Sequence, residues 1–237
     1  MNTRIIIVDI ITFICLPVWA NDETKNIILN GGNISTALFN SQEKFWNYSY
    51  VMKTLYGTKE ELGITITYQF TEWISAEAII INGDIKGKVN HGVGLNFTPI
   101  KGLHMRVYSA LNDCGEKKKI TMVNLAAFLG YKCERFCIGA EYNHIVNSAY
   151  TFGCDFFGYS LFASVKISKN ADMYARFDGL YSKEKLKLFK NEKSAVIGFE
   201  FKVREKLTIT PNFKMTISEN DLQPNNFIAY LNCTYNF

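Results

Sequence analysis

Long apolar runs and proline are both scarce in this 237-residue chain. Beyond the first twenty residues no segment approaches eighteen consecutive apolar residues, which is the length that a spanning helix requires, and the mean hydropathy is −0.03. This pattern excludes a helical membrane protein. The four prolines leave long stretches of backbone free to pair as strands, because proline cannot donate to a strand ladder.

Metal-binding and nucleic-acid-binding signals are also missing. His91, His104 and His144 are the three histidines, and none stands in a spaced set with cysteine or carboxylate. The sequence therefore predicts no metal and no cofactor. The net charge of +4 is spread along the chain without a Lys/Arg cluster, so we expect no nucleic-acid partner. Asn143-His144 with Ser148 is the nearest approach to a catalytic set, but it matches no motif, and we predict no enzymatic activity.

The first twenty residues have the layout of a secretory signal. Arg4 is followed by an apolar stretch that ends at Val18, and Val18 and Ala20 occupy the −3 and −1 positions of a cleavage site before Asn21. A buried first strand or helix is the alternative interpretation. We predict a signal peptide over 1–20, and hence an exported chain.

Hydrophobicity alternates with a period of two from residue 63 onward, which indicates strands rather than helices. In Gly63–Thr71 the residues Ile64, Ile66, Tyr68 and Phe70 face one way and polar residues face the other. Eleven such strands follow one another, and the weakest covers residues 74–83. A twelfth strand, rising before the first of these, is predicted over Phe45–Leu55. Residues 21–44 are of uncertain structure and could add pairing, fold inward or stay loose.

The connections between these strands alternate between short and long. The short ones lie near Glu72-Trp73, 99–102, 133–135, 168–171 and 204–206, and the long ones near 84–90, 111–119, 146–156, 182–193 and 217–226. A soluble β-sandwich has no reason to keep its long loops at one end, whereas outer-membrane barrels have short periplasmic turns and longer extracellular loops. The predicted fold is therefore all-β: a transmembrane antiparallel up-and-down barrel of about twelve strands over 45–237. A closed barrel is expected because an open edge would leave backbone groups unpaired in hydrocarbon.

Strand alternation assigns ten charged residues to the lumen. They are Glu77, Arg106, Lys132, Glu141, Lys166, Arg176, Asp178, Glu200, Lys202 and Lys214. Six are basic and four are acidic, so this wall has a net charge of +2 that would weakly favour anions. Alternatively, these charges pair across strands and merely hydrate the wall. A twelve-strand barrel can also be largely filled by its own side chains, and it then conducts poorly.

Aromatic residues make up 14% of the chain, and several are placed near strand ends. These are Trp46, Tyr68, Trp73, Tyr131, Tyr142 and Tyr235, which suit either an aromatic girdle or ordinary strand packing. Five cysteines remain after signal removal, namely Cys114, Cys133, Cys137, Cys154 and Cys233. Their odd number leaves at least one unpaired in a monomer. Cys114 and Cys154 lie in successive long loops and could bridge, and Cys233 is predicted to face lipid.

Several stretches resemble porins of Bacteroidetes-type bacteria, akin to the phosphate-selective porin O and P group. The final strand Ala229–Phe237, with its terminal aromatic residue, is similar to the end of outer-membrane barrels. The other stretches are Glu43–Thr54, Ile74–Glu77, Thr98–Leu103 and Gly139–Asn143. The resemblance covers roughly residues 43–237, although the chain is shorter than such porins on its N-terminal side. It implies that the barrel-assembly machinery recognises the strand ending at Phe237.

Together these observations predict a porin-like channel of the cell outer membrane. Small hydrophilic solutes or anions would cross it by passive diffusion. Outer-membrane lipid would surround it, and a homotrimer is the assembly to test for. The alternative is a non-conducting structural or adhesive barrel whose surface loops bind a ligand.

Overall fold

A computed structural model describes most of the chain as a single sheet. The described residues are 26–35, 45, 60–82, 89–112, 120–182, 191–204, 207–218 and 225–235. No helix in this part of the chain is long and apolar enough to cross a membrane.

Twelve strands follow one another, each paired antiparallel with the next. Their bounds are β1 Ile27–Ser35, β2 Glu60–Thr71, β3 Ile74–Asn82, β4 Val89–Phe97, β5 Leu103–Asn112, β6 Met122–Lys132, β7 Phe136–Val146, β8 Phe156–Ser168, β9 Ala171–Ser182, β10 Glu192–Arg204, β11 Leu207–Ser218 and β12 Asn226–Tyr235. This confirms the predicted fold class, the strand number and the positions of the last eleven strands.

The first strand is not where the sequence predicted it. β1 lies at Ile27–Ser35 and pairs with β2 from Ile27 opposite Tyr68 to Ser35 opposite Glu60. Of the strand expected over Phe45–Leu55, only Phe45 is among the described residues, and it has helical geometry. The rest of that stretch lies outside the described residues. The sequence did not predict β1 because Gly31, Gly32 and two asparagines interrupt its alternation. Thus one of the three alternatives for this segment, added pairing, is the one found.

The two ends of the sheet differ in the length of their connections. At one end, here called the short-turn end, β2 and β3 are joined by Glu72-Trp73 and β8 and β9 by Lys169-Asn170. At the opposite, long-loop end, β7 and β8 are joined by residues 147–155, and the connection from β1 to β2 covers 36–59. The alternation of short and long connections is the one that the sequence predicted.

The strands in the middle of the sheet each present one buried and one exposed face. In β7, Cys137, Glu141 and Asn143 are buried, whereas Ile138 is 53% exposed and Tyr142 is 47% exposed. This period of two follows from the pleat of a strand. The buried side chains define the inner face of the sheet, and the other side, here called the outer face, displays large apolar side chains. Exposed apolar residues on one face are what a lipid-facing wall requires.

The sheet ends at two uncovered strands. Pairing runs from β1 to β12 in chain order, and no ladder within the described residues joins β12 to β1. Side chains on both faces of β12 are exposed; Phe227 and Leu231 on the outer face are 71% and 69% exposed and Tyr230 on the inner face is 40% exposed. The closure predicted from the sequence is therefore not seen in this part of the chain.

Candidate functional site

All ten charged residues predicted to line a lumen lie on the inner face of the sheet. Arg106, Glu141, Arg176 and Asp178 are buried, with exposed fractions between 3% and 6%, and the side chain of Glu77 is 13% exposed. The other five are half-buried or exposed, and these are Lys132, Lys166, Glu200, Lys202 and Lys214. The inner face thus separates into a buried charged group and a set of accessible charges.

Arg106 and Glu77 form a buried ion pair that crosses over a strand. The Nε of Arg106 on β5 donates to Oε1 of Glu77 on β3 at 2.5 Å, although β4 lies between these strands. Gly94 of β4 is directly opposite Glu77, and a Cβ at this position would lie 2.9 Å from Glu77 Cγ. The glycine therefore provides the space through which the ion pair passes.

A second buried ion pair lies within β9. The Nε of Arg176 donates to both carboxylate oxygens of Asp178, at 2.8 Å and 3.0 Å. The two residues are two positions apart and so share the inner face. Because both are buried, removal of one partner would leave an uncompensated charge, which costs about 3–5 kcal/mol.

Glu141 is the buried charge without an ion pair of its own among the described residues. Asn143 Nδ2 donates to its Oε1 at 2.8 Å, while its Oε2 is buried and has no hydrogen-bond partner there. Glu141 lies within electrostatic reach of Arg106, Arg176 and Asp178. The buried group therefore contains three carboxyl groups and two guanidinium groups.

Three of the accessible lysines lie at the short-turn end. Lys132, Lys166 and Lys202 line a small polar pocket of about 240 Å³ together with Asp172 and Glu200. Lys166 lies directly opposite Asp172 in the β8–β9 ladder. Acids and bases are mixed in this pocket, so the short-turn end does not present a field of one sign.

Two apolar clusters occupy the middle strands of the inner face. The cluster nearer the long-loop end consists of Ile79, Ile81, Tyr108, Ala110 and Ala126. The one nearer the short-turn end consists of Phe128, Cys137, Phe162, Tyr174 and Val196. Such clusters fill space that an open channel would leave to water, and they were not predicted as clusters from the sequence.

The large rings of these clusters lie against glycines of neighbouring strands. Tyr108 covers Gly92, Phe162 covers Gly139, and Tyr174 covers Gly198. A Cβ at Gly139 would lie 2.8 Å from Phe162 Cε1, closer than carbon atoms approach in proteins. These glycines therefore leave the space that the rings occupy against the wall, an arrangement related to the aromatic rescue of glycine in sheets.

Phe45, which belongs to no strand, packs against the cluster nearer the short-turn end. Its ring centroid lies 5.4 Å from that of Phe128 and 6.4 Å from that of Phe162, and its carbonyl oxygen accepts from Lys132 Nζ at 3.2 Å. Phe45 belongs to the connection that begins and ends at the long-loop end, yet it contacts the wall near the short-turn end. Phe45 therefore lies against the inner face of the sheet.

The residues considered as a catalytic set do not converge. Asn143 is buried on the inner face, its neighbour His144 has the opposite parity on β7, and Ser148 begins the 3₁₀ turn Ser148–Tyr150 in the following loop. Among the described residues no group of three or more His, Cys, Asp or Glu side chains is arranged to hold a metal ion.

The connection over 147–155 is the one long loop that is fully described. Asn147 adopts a left-handed conformation with φ of 54°, and its side-chain oxygen accepts from Gly153 N at 3.1 Å. The backbone N–H of Asn147 donates to Asp155 Oδ1 at 3.1 Å. These bonds hold a compact loop whose Phe152 is 83% exposed.

Outer-face aromatic residues follow the predicted girdle in part. Tyr68, Trp73, Tyr131 and Tyr235 lie near the short-turn end, whereas Tyr142 lies nearer the long-loop end; Trp46 lies outside the described residues. Trp73 and Tyr235 are 47% and 55% exposed, as outward-pointing girdle rings would be. The bridge suggested between Cys114 and Cys154 involves a residue outside the described part. Cys133, Cys137 and Cys233 are free thiols, and Cys233 is exposed, as expected of a lipid-facing residue.

An antiparallel up-and-down sheet of twelve strands, apolar outside and polar with charges inside, is the fold of outer-membrane β-barrels. Solved structures of that class are similar to it. One is the outer membrane channel DcaP of Acinetobacter baumannii, with a TM-score of 0.63 and 12% identity over 76% of this chain and 64% of that chain. Another is a porin refined at 1.8 Å resolution, with a TM-score of 0.64 and 12% identity over 89% of this chain and 77% of that chain.

An anion-selective porin from Comamonas acidovorans is also similar, with a TM-score of 0.55 and 8% identity over 76% of this chain and 56% of that chain. The chain thus spans less than two thirds of the length of both DcaP and this porin. No protein-family model matches the chain, and no curated protein matches it. At such low identity the similarity shows the porin-like fold.

Proposed function

We propose that this protein is a porin-like channel of an outer membrane, through which small hydrophilic solutes diffuse passively. The observation that carries the proposal is the polar inner face of a twelve-strand sheet whose outer face is apolar. A barrel with this distribution places a hydrated wall inside hydrocarbon, which is the arrangement of porins. The similarity in fold to porins and to an outer membrane channel supports the same function.

A weak preference for anions is part of the proposal. Glu77 neutralises Arg106 and Asp178 neutralises Arg176. The remaining predicted lumen charges are four lysines and two glutamates, a net charge of +2 before Asp172, which lies opposite Lys166, is counted. Such an excess raises the local concentration of anions only modestly. The specific relation to phosphate-selective porins stays a prediction.

Export and assembly complete the proposal. The signal peptide over 1–20 would direct export, the strand ending at Phe237 would be recognised by the barrel-assembly machinery, and the inserted protein would form a homotrimer surrounded by outer-membrane lipid. The predicted division of the mature chain placed the barrel over 45–237 after an N-terminal segment over 21–44, but β1 at Ile27–Ser35 belongs to the sheet, so the proposed barrel begins there.

Single-channel recording tests the channel directly. The refolded mature protein would be inserted in a planar bilayer with a salt gradient across it. Discrete conductance steps, with a reversal potential of the sign expected for anions, support the proposal. Silence from a correctly folded, heat-modifiable barrel would contradict it, and a cation-selective reversal potential would contradict the anion preference alone.

A non-conducting barrel is the second candidate function, favoured by the filling of the lumen. Phe128, Phe162 and Tyr174 occupy the inner face together with Phe45. In that case the compact loop that presents Phe152 would be the surface that binds a ligand. The same recording distinguishes the two candidates, since an occluded barrel gives no steps.

A further inference from the structure

The inner faces of β11 and β12 differ in chemistry from the middle of the sheet. Their side chains are hydroxyls and amides for the most part: Thr208, Thr210, Asn212, Lys214, Thr216, Ser218, Asn226, Ile228, Tyr230, Asn232 and Thr234. Lys214 is the one charged side chain in this set. The described inner-facing side chains of β2, at the other end of the sheet, are Thr65, Thr67 and Gln69, which are again uncharged hydrogen-bonding groups.

The β12 side of this polar wall is accessible, whereas Thr210 and Asn212 on β11 are buried, as is the charged group. Tyr230 is 40% exposed, and Asn226 and Thr234 are also exposed. By contrast, Arg106, Arg176 and Asp178 are 3–6% exposed and are engaged in ion pairs. A solute that moves along β12 therefore meets hydroxyls and amides, whereas the accessible charges Lys132, Lys166, Glu200 and Lys202 lie toward the short-turn end.

Lys214 stands among neutral neighbours. The residues directly opposite it are Val196 on β10 and Ile228 on β12. The next inner-facing residues along β11, Asn212 and Thr216, are uncharged. The wall thus carries one isolated charge, with apolar side chains opposite it on both sides and hydrogen-bonding groups before and after it along β11.

We propose that the solutes this channel favours are uncharged and rich in hydroxyl groups, and that they pass along the β11–β12 wall. This inference rests on the proposed channel function. Hydroxyls and amides match the donors and acceptors of a polyhydroxylated solute, because each hydroxyl of the solute can exchange water for a wall group at little cost. A row of fixed like charges, the arrangement suited to selecting ions, is missing from the described part of this wall.

The test compares solute entry with ion conductance for the full chain. Proteoliposome swelling would be measured with glucose, with gluconate and with glucosamine, which are similar in size and differ in charge. We expect glucose to enter several times faster than glucosamine and faster than gluconate. Equal rates for the three solutes, or faster entry of either charged solute, would overturn the inference while channel conductance in salt still supports the proposed function.

Matched variants locate the path. The double variant Thr216→Val with Asn232→Leu removes accessible hydrogen-bonding groups from β11 and β12 and is expected to slow glucose entry at least twofold while salt conductance persists. Lys214→Gln removes the charge alone and should leave glucose entry unchanged. If Lys214→Gln slows glucose entry as much as the double variant does, or if the double variant leaves it unchanged, the inference is wrong. Ser194→Ala, a substitution at a buried position, serves as a folding control. If the wild type shows neither conductance nor swelling, the proposed channel function is wrong, and the inference is wrong with it.

Discussion

The guanidinium Nε of Arg176 lies 2.8 Å from Asp178 Oδ1 and 3.0 Å from Oδ2, between two residues of one strand that are both buried. A shared donor at these distances orients the carboxylate and keeps both charges away from water. Two residues that face the same way along β9 thus neutralise one another within the strand. A positive lumen site is thereby withdrawn from any solute.

Loss of this ion pair should destabilise the protein. Asp178→Asn leaves the buried Arg176 without its carboxylate, and the expected loss in free energy of unfolding is about 3 kcal/mol. Denaturant unfolding of the vesicle-inserted protein measures it. Lys202→Gln, which removes an exposed charge at the short-turn end, is the control and should change stability by less than about 1 kcal/mol. Equal effects of the two substitutions would show that the pair contributes nothing.

Gly139 should tolerate no side chain while Phe162 is present. A valine there would meet the Phe162 ring, and we expect a loss of about 1–3 kcal/mol because the wall is already close-packed. Adding Phe162→Ala to Gly139→Val should recover part of the loss, as expected for residues in contact. Gly31→Ala is the control, since the nearest atom to a Cβ there is 4.0 Å away. Strictly additive effects in the double variant would contradict the contact.

The side chain of Phe45 should limit the conductance of the wild-type channel. Its ring packs on Phe128 and Phe162 at the inner face of the sheet. Phe45→Ala is therefore expected to raise single-channel conductance. It should also lower the free energy of unfolding by about 1 kcal/mol. Phe152→Ala removes an exposed loop ring of the same size and should leave conductance unchanged. A lower or unchanged conductance in Phe45→Ala, with folded protein verified by heat modifiability, would be the opposite of what the packing predicts.

Asn147 should control the order of the loop over 147–155. Asn147→Ala loses the hydrogen bonds to Gly153 N and to Thr121 O, and alanine is strained in the left-handed conformation of this position. Asn147→Gly loses the same hydrogen bonds, but glycine adopts that conformation without strain. Limited proteolysis within the loop should be fastest for Asn147→Ala, intermediate for Asn147→Gly and slowest for the wild type. An alanine variant as resistant as the wild type would argue against this role.

Thiol labelling should report the two faces of the sheet. Cys133 is exposed at the short-turn end and Cys137 is buried on the inner face, so in single-cysteine variants a hydrophilic maleimide should modify Cys133 at least ten times faster. Cys233 is exposed on the outer face and should react with a membrane-soluble reagent instead. Rapid hydrophilic labelling of Cys233 in vesicles would place β12 away from lipid.

The sequence predicted the strands well because a period of two is a local signal. Gly63–Thr71 alternates cleanly and became the end of β2, and even the weak stretch over 74–83 became β3. β1 was missed because Gly31-Gly32 lacks side chains that could display a pattern, and its pairing with β2 is a long-range contact. The sequence also assigned Arg106, Glu141 and Arg176 to the inner face by parity alone.

Which inner-face residues meet could not be predicted from parity. Glu77 reaches Arg106 across an intervening strand only because Gly94 leaves room, and this depends on the register of three strands at once. The position of Phe45 depends on the path of a connection without periodicity. Alternation thus predicts the face toward which a side chain points. The residue that it contacts depends on the register of the strands and on small residues, such as Gly94, in the strand between the two partners.

The two uncovered strands, β1 and β12, affect the order in which the molecule can assemble. Every other strand pairs with its neighbour in sequence, so the sheet can grow by successive hairpins, which are local contacts that form quickly. Whatever covers β1 and β12 must join segments about two hundred residues apart, and loop closure over that separation makes such a contact slow. The contacts that cover β1 and β12 are therefore expected to form last. Until they form, these two edge strands are the sites at which the sheet could pair with a wrong strand.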